Sequence, residues 1–157
     1  MTAMNGRDDA AVATLIIGVT LAVVATLLPV LQVPGQSGVL RLTAWQVLPW
    51  FTKVKLLALG LLLAAAFLPQ LAKWRLPMAA FAVIMVFVPS VSAFISAVYA
   101  WSEVRAEIVR QTGNRNPFVQ PGMANFALVA AGLLVSWAVW RLEARKAPEG
   151  AAAPAAA

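Results

Sequence analysis

Two glutamates, Glu103 and Glu107, stand four residues apart in "WSEVRAEIVRQTG", the spacing that puts both carboxylates on one face of a helix. Paired carboxylates can divide acid and base roles. Here Arg105 and Arg110 interleave with them, so the segment reads as a solvated helix surface, with Glu107 and Arg110 as an i,i+3 pair. Ser90, Ser92 and Ser96 form the next polar group, in an otherwise apolar run just beyond Pro89. Their expected work is hydrogen bonding between helices and relief of the backbone at the proline, with ligand lining as the rival role. The chain has neither cysteine nor histidine. That removes a thiolate nucleophile, a disulfide relay, an iron–sulfur site, the usual haem axial ligand, most zinc or copper sites and the commonest general base. Gly-rich phosphate loops and nucleophile motifs are missing as well. The expectation is a protein that is not an enzyme and uses no cofactor or metal.

The elements that carry these residues are suited to lipid. Of 157 residues, 62% are hydrophobic and 11% charged, against roughly 45–50% and about 25% in soluble domains. A soluble fold of this length could not hide so much apolar surface. The net charge of +6 does not imply a nucleic-acid partner, because the basic residues sit at the ends of apolar runs, where they anchor helices to lipid headgroups.

Four such runs predict an all-α membrane protein: a four-transmembrane-helix bundle with a small extracytoplasmic cap, occupying residues 1–146. The spans fall at 10–31, 50–72, 77–101 with an extension to about residue 112, and 122–140; residues 147–157 form a disordered Ala/Pro tail. The first run is expected to be a retained helix rather than a signal peptide, since it is long, follows Asp8 and Asp9, and lacks a small-residue cleavage pattern. Pro34–Gly35 should turn the chain at its exit. Pro49 suits the first turn of the second helix, where Lys53 and Lys55 are expected to snorkel to headgroups. Pro69 marks its far end, Pro77 opens the third helix, Pro89 predicts a kink, and Gly113 a C-terminal stop.

Basic residues are balanced between the two sides, with Arg7, Lys73, Arg75, Arg141, Arg145 and Lys146 on one and Arg41, Lys53, Lys55, Arg105, Arg110 and Arg115 on the other. The tight 70–76 loop and the cationic flank of the last helix favour cytoplasmic termini in a bacterial-type inner membrane. Trp45, Trp50 and Trp101 would anchor one interface, and Trp74, Trp137 and Trp140 the other. Small residues at intervals of four should let the helices approach: Gly18, Ala22 and Thr26; Gly60 and Ala64; Ser92, Ser96 and Ala100; Gly132 and Ser136.

The stretch "VLRLTAWQVLPWFTKVK", Val39 to Lys55, is too polar to cross a bilayer and too apolar for an ordinary loop. As a helix, Leu40, Ala44, Val47 and Phe51 share an apolar face. As a strand, Leu40 and Leu42 alternate with Arg41 and Thr43. The preferred reading is an extended Val39–Trp45 segment leading to a helix near Pro49 and packed on Val104 and Ile108. The cap so formed would present Arg41, Gln46, Arg105, Arg115 and Phe118 as a surface for another inner-membrane or periplasmic subunit or for a membrane lipid.

"LLPVLQV", "LLLAAAFLPQLAKW" and "VQPGMANFALV" together resemble a single membrane domain of the paraquat-inducible protein A family, over roughly Leu27 to Trp140. That resemblance implies four helices, a short structured first extracytoplasmic loop and partners that shuttle lipid. The zinc-binding cysteines of longer family members are absent, "WRLPMAAF" replaces the family's polar entry and aspartate at helix three, and the lysine often found in that helix is missing. Two functions therefore follow as expectations: an accessory or assembly subunit of a larger membrane complex, or a membrane component of a lipid-trafficking system.

Overall fold

The computed structural model describes residues 6–35, 38–98, 106, 109–111, 113 and 120–144. In chain order they form α1 (Gly6–Val24), β1 (Pro29–Gly35), β2 (Gly38–Thr43), the single turn α2 (Ala44–Val47), α3 (Pro49–Phe67), a 3-10 segment (Pro69–Trp74), α4 (Arg75–Val98), β3 (Gln120–Pro121) and α5 (Met123–Ala144). The chain is mostly helical. Pro49–Phe67, Pro69–Val88 and Met123–Ala144 are long and apolar enough to cross a membrane, and Asp9–Val24 is a shorter apolar helix. Ile16, Ile17, Leu57, Leu61, Phe81, Ile84 and Leu133 point outward from these helices, a surface fit for lipid tails. By length and composition the chain is a multi-pass membrane protein.

Leu15, Ala22, Leu59, Leu62, Ala82, Val86, Leu128 and Val135 belong to one core drawn from α1, α3, α4 and α5. α1 packs on α5, α5 on α4 and α4 on α3, whereas α1 and α3 meet sparsely. The small-residue stripes explain part of this. Gly18 lies against the backbone and side chain of Val135, and Ala22 and Thr26 are buried on the same face. Gly132 receives the ring of Phe87 so closely that a Cβ there would clash. Two expected packing residues are corrected. Gly60 faces outward with nothing within 4 Å of where its Cβ would stand, and Ser136 is exposed. In a helix whose inner stripe is Thr52, Lys55, Ala58, Leu59, Leu62 and Ala65, Gly60 falls on another face; Ser136 likewise lies between the buried Val135 and Ala138. Ala64 is half-buried. The side chains of Ser92 and Ser96 lie outside the described residues.

The first helix is shorter than its apolar run. It ends at Val24, and the turn through Leu28 leads into β1 rather than continuing to Leu31. Pro29 has no N–H for a helix and drives Leu28 away from helical dihedrals. Val30, Leu31 and Val33 are apolar because they fill a second core, with Ala44 and Ala124, and not because they meet lipid. β1 is the middle strand of an antiparallel sheet ordered β2-β1-β3. Pro29 pairs with Thr43, Leu31 with Leu42, and Gly35 with Gly38, with an irregularity between Pro29 and Leu31. The Val39–Thr43 stretch is thus a strand, and Leu40 and Leu42 pack on this second core; Val104 and Ile108 lie outside the described residues.

The second span stops at Phe67, one residue before Leu68 is constrained by Pro69, and continues as a 3-10 turn. α4 starts at Arg75 and remains helical past Pro89 to Val98. Further on, Gly113 has φ +67° and donates its N–H to the Val109 carbonyl at 2.9 Å, the left-handed closure that glycine permits at a helix end.

Candidate functional site

Five polar or charged residues are buried among those described: Thr26, Thr52, Lys55, Ser90 and Asn125. Topology gathers them at one end of the helical layer. Thr26 follows the end of α1, Thr52 and Lys55 open α3, Ser90 lies in the second half of α4, and Asn125 is in the first turn of α5. Above them lies the sheet.

Asn125 is held by the join between helix and sheet. Its Nδ2 donates to the carbonyls of Val30 (2.8 Å) and Gly122 (3.0 Å). The Gly122 N–H donates to the same Val30 carbonyl at 2.7 Å. A Cβ on Gly122 would collide with the Pro29 backbone, so only glycine lets α5 begin so close to β1. Thr52 makes the corresponding join on the other side. Its hydroxyl lies within reach of the Ala44 carbonyl (3.2 Å) and the Leu48 carbonyl (3.0 Å), tying α2 to α3. Ser90 reaches across to the Asn125 carbonyl at 3.5 Å, and the Thr26 hydroxyl donates to Val23 at 2.7 Å. Ser90 thus performs the interhelical role expected of it.

Two atoms in this layer have no hydrogen-bond partner: Lys55 Nζ and Asn125 Oδ1. Lys55 is the largest fully buried side chain among the described residues, with no exposure to solvent. This corrects the expectation that it snorkels to headgroups. Lys53, two residues earlier, does point outward, but a residue three after Thr52 and four before Leu59 shares their inward face. Asn125 carried no site expectation, and its signal was faint: a polar residue one turn into an apolar helix.

The acidic residues among those described are Asp8 and Asp9, near the start of α1, and Glu143, near the end of α5. All three belong to the end opposite the sheet. There Arg75 donates from Nε to the Ala65 carbonyl and from Nη2 to the Ala66 carbonyl, each at 3.3 Å, and lies 3.7 Å from Glu143. It satisfies carbonyls that the end of α3 leaves without intrahelical donors.

Of the expected partner-binding residues, Arg41 is exposed on β2 and Gln46 is exposed in α2. The Gln46 side-chain oxygen accepts the Thr43 N–H at 2.9 Å, so it closes the turn into α2. Arg105, Arg115 and Phe118 lie outside the described residues. Trp45, Trp50, Trp74, Trp137 and Trp140 are all exposed, the first two at the sheet end and the others toward the opposite end. Arg141 lies 5.8 Å from the centre of the Trp137 ring, within cation–π range. Trp101 lies outside the described residues. No group of three or more metal-ligating side chains occurs among the described residues.

Site and fold together define a class: a multi-pass membrane protein whose helical layer carries a small sheet and, beneath it, an enclosed polar layer. No protein-family description matches the chain, and neither a curated protein nor a solved structure matches it.

Proposed function

We propose that this chain is a non-catalytic, four-span subunit of a bacterial-type inner membrane, with both termini cytoplasmic and the sheet outside, serving as an accessory or assembly subunit of a larger complex. The observation that carries this reading is the free edge of β2. Among the described residues β2 pairs with β1 alone. Its ladder is closed by the Gly35–Gly38 pair. Alternation from that pair turns the backbone N–H and C=O of Val39 and Arg41 away from β1. Both side chains are exposed as well. An edge of this kind accepts an added strand, and Arg41 sets the sign of charge it prefers.

The test is affinity purification of the full chain in mild detergent, comparing wild type with Val39→Pro and Arg41→Ala. Proline at 39 removes an outward N–H without touching the β1 ladder, so folding should be preserved and a stoichiometric partner lost. Arg41→Ala should weaken its recovery. Equal partner recovery in all three would place the interface elsewhere. A reporter after Ala157 should read cytoplasmic and one at Gly113 extracytoplasmic; the reverse would invert the proposed orientation.

The hairpin in the first link favours a second reading, since a short structured first loop is what the resemblance to paraquat-inducible protein A implies. Lipid, rather than a subunit of a membrane complex, would then co-purify with the chain.

A further inference from the structure

Lys55 is a cation sealed into the core with no hydrogen-bond partner. An enclosed ammonium needs a counter-charge or sheds its proton, and no described carboxylate lies at its end of the molecule. Looseness of the region does not explain it. Thr26, Thr52 and Ser90 in the same layer all find acceptors, and Asn125 uses both of its amide hydrogens.

The second unpartnered atom has the opposite need. Asn125 Oδ1 requires a donor, Lys55 an acceptor. The elements that carry the two residues meet the same roof. Asn125 bonds Val30, and Thr52, one turn before Lys55, bonds Ala44. Val30 and Ala44 belong to a single apolar cluster. Among the described residues at this end, Arg41 and Lys53 add exposed positive charge.

We propose that Lys55 and Asn125 form a buried site for a phosphate-type oxyanion that also carries a hydroxyl, whether a lipid headgroup or free phosphate. The oxyanion takes the ammonium, a charge-assisted contact, and the hydroxyl donates to Oδ1. A glycerol phosphodiester headgroup has both groups, as does dihydrogen phosphate. A choline phosphodiester has no hydroxyl and no net charge. The site requires no partner protein and rests on neither reading given above.

The full chain in non-ionic detergent tests this by thermal unfolding with phosphatidylglycerol, phosphatidylcholine or inorganic phosphate. At ten times its Kd, phosphatidylglycerol should raise the wild-type Tm by about 4 °C, with phosphatidylcholine giving no shift. Lys55→Met should abolish the shift, and Lys53→Met, which removes the exposed neighbour, should keep it. An equal shift with inorganic phosphate supports the site and identifies its source as the free anion. No shift with either anion, or a shift that survives Lys55→Met, overturns it. A photoreactive phosphatidylglycerol on wild-type protein covers the case of a variant that fails to fold. Cross-links within Pro49–Phe67 near Lys55 are expected when a lipid is the source. Cross-links confined to other segments, with no stabilisation by inorganic phosphate, overturn the site.

Discussion

The two ends of α3 handle a cation in opposite ways. At its C-terminal end Arg75 folds back on the Ala65 and Ala66 carbonyls and reaches Glu143. At its N-terminal end Lys55 is more deeply enclosed and has nothing to bond. Arginine offers five donors in a planar fork, and helix C-termini offer free carbonyls, so the first arrangement completes itself within the chain. Lysine is a strongly hydrated point charge. Enclosed beneath the sheet, it has no hydrogen-bond partner. One end of the helix is complete within the described residues, and the other leaves an enclosed ammonium without a hydrogen-bond partner.

The largest expected effect strikes the sheet end through its backbone. Gly122→Val drives a side chain into the Pro29 carbonyl and should cost about 3 kcal/mol or more, seen as a lowered melting temperature in detergent. A silent variant would mean that α5 and β1 are not held at this distance. Arg75→Met comes next. It strands the Ala65 and Ala66 carbonyls, and should cost about 2 kcal/mol in the same assay. Lys55→Met should act in the other direction, raising stability by about 1 kcal/mol in anion-free detergent, because an apolar chain of similar length replaces an unpaired charge. If Lys55→Met were as damaging as Arg75→Met, the contrast between the ends would collapse. The smallest effect is expected midway along the helix. Gly60→Ala meets nothing and should add about 0.5 kcal/mol through helix propensity alone. A loss there would show that the outer face of α3 is covered by a neighbour.

Much of this architecture was legible from residue types. Pro49 opens α3 as expected, and the alternation around Arg41 became β2. Gly18 and Gly132 each stand where helices meet. The misreadings share one physical origin. Apolarity says that a residue avoids water, not what replaces the water. Val30, Leu31 and Val33 looked like the end of a membrane helix and instead fill a core beneath strands. Spacing by four marks a face, but does not say whether that face meets a helix or lipid; Gly18 and Gly60 have the same signature and opposite surroundings. Lys55 was read from its chemistry, which favours snorkelling, whereas its position relative to Thr52 and Leu59 decided its burial. Of the proposed site, the lysine could have been found by phase along α3. Asn125 could not, because its role depends on a strand 95 residues away.

That separation bears on the order of assembly. β1 and β2 are joined by a two-residue link and can pair within microseconds of emerging. The Val30 carbonyl, however, waits for Gly122 and Asn125, which are synthesised only after α3 and α4. Such a contact forms late, since closing so long a loop is entropically costly until the intervening helices are in place. Completion of the sheet therefore records that the last helix has arrived, and a nascent chain that ends before residue 120 leaves β1 without its second neighbour.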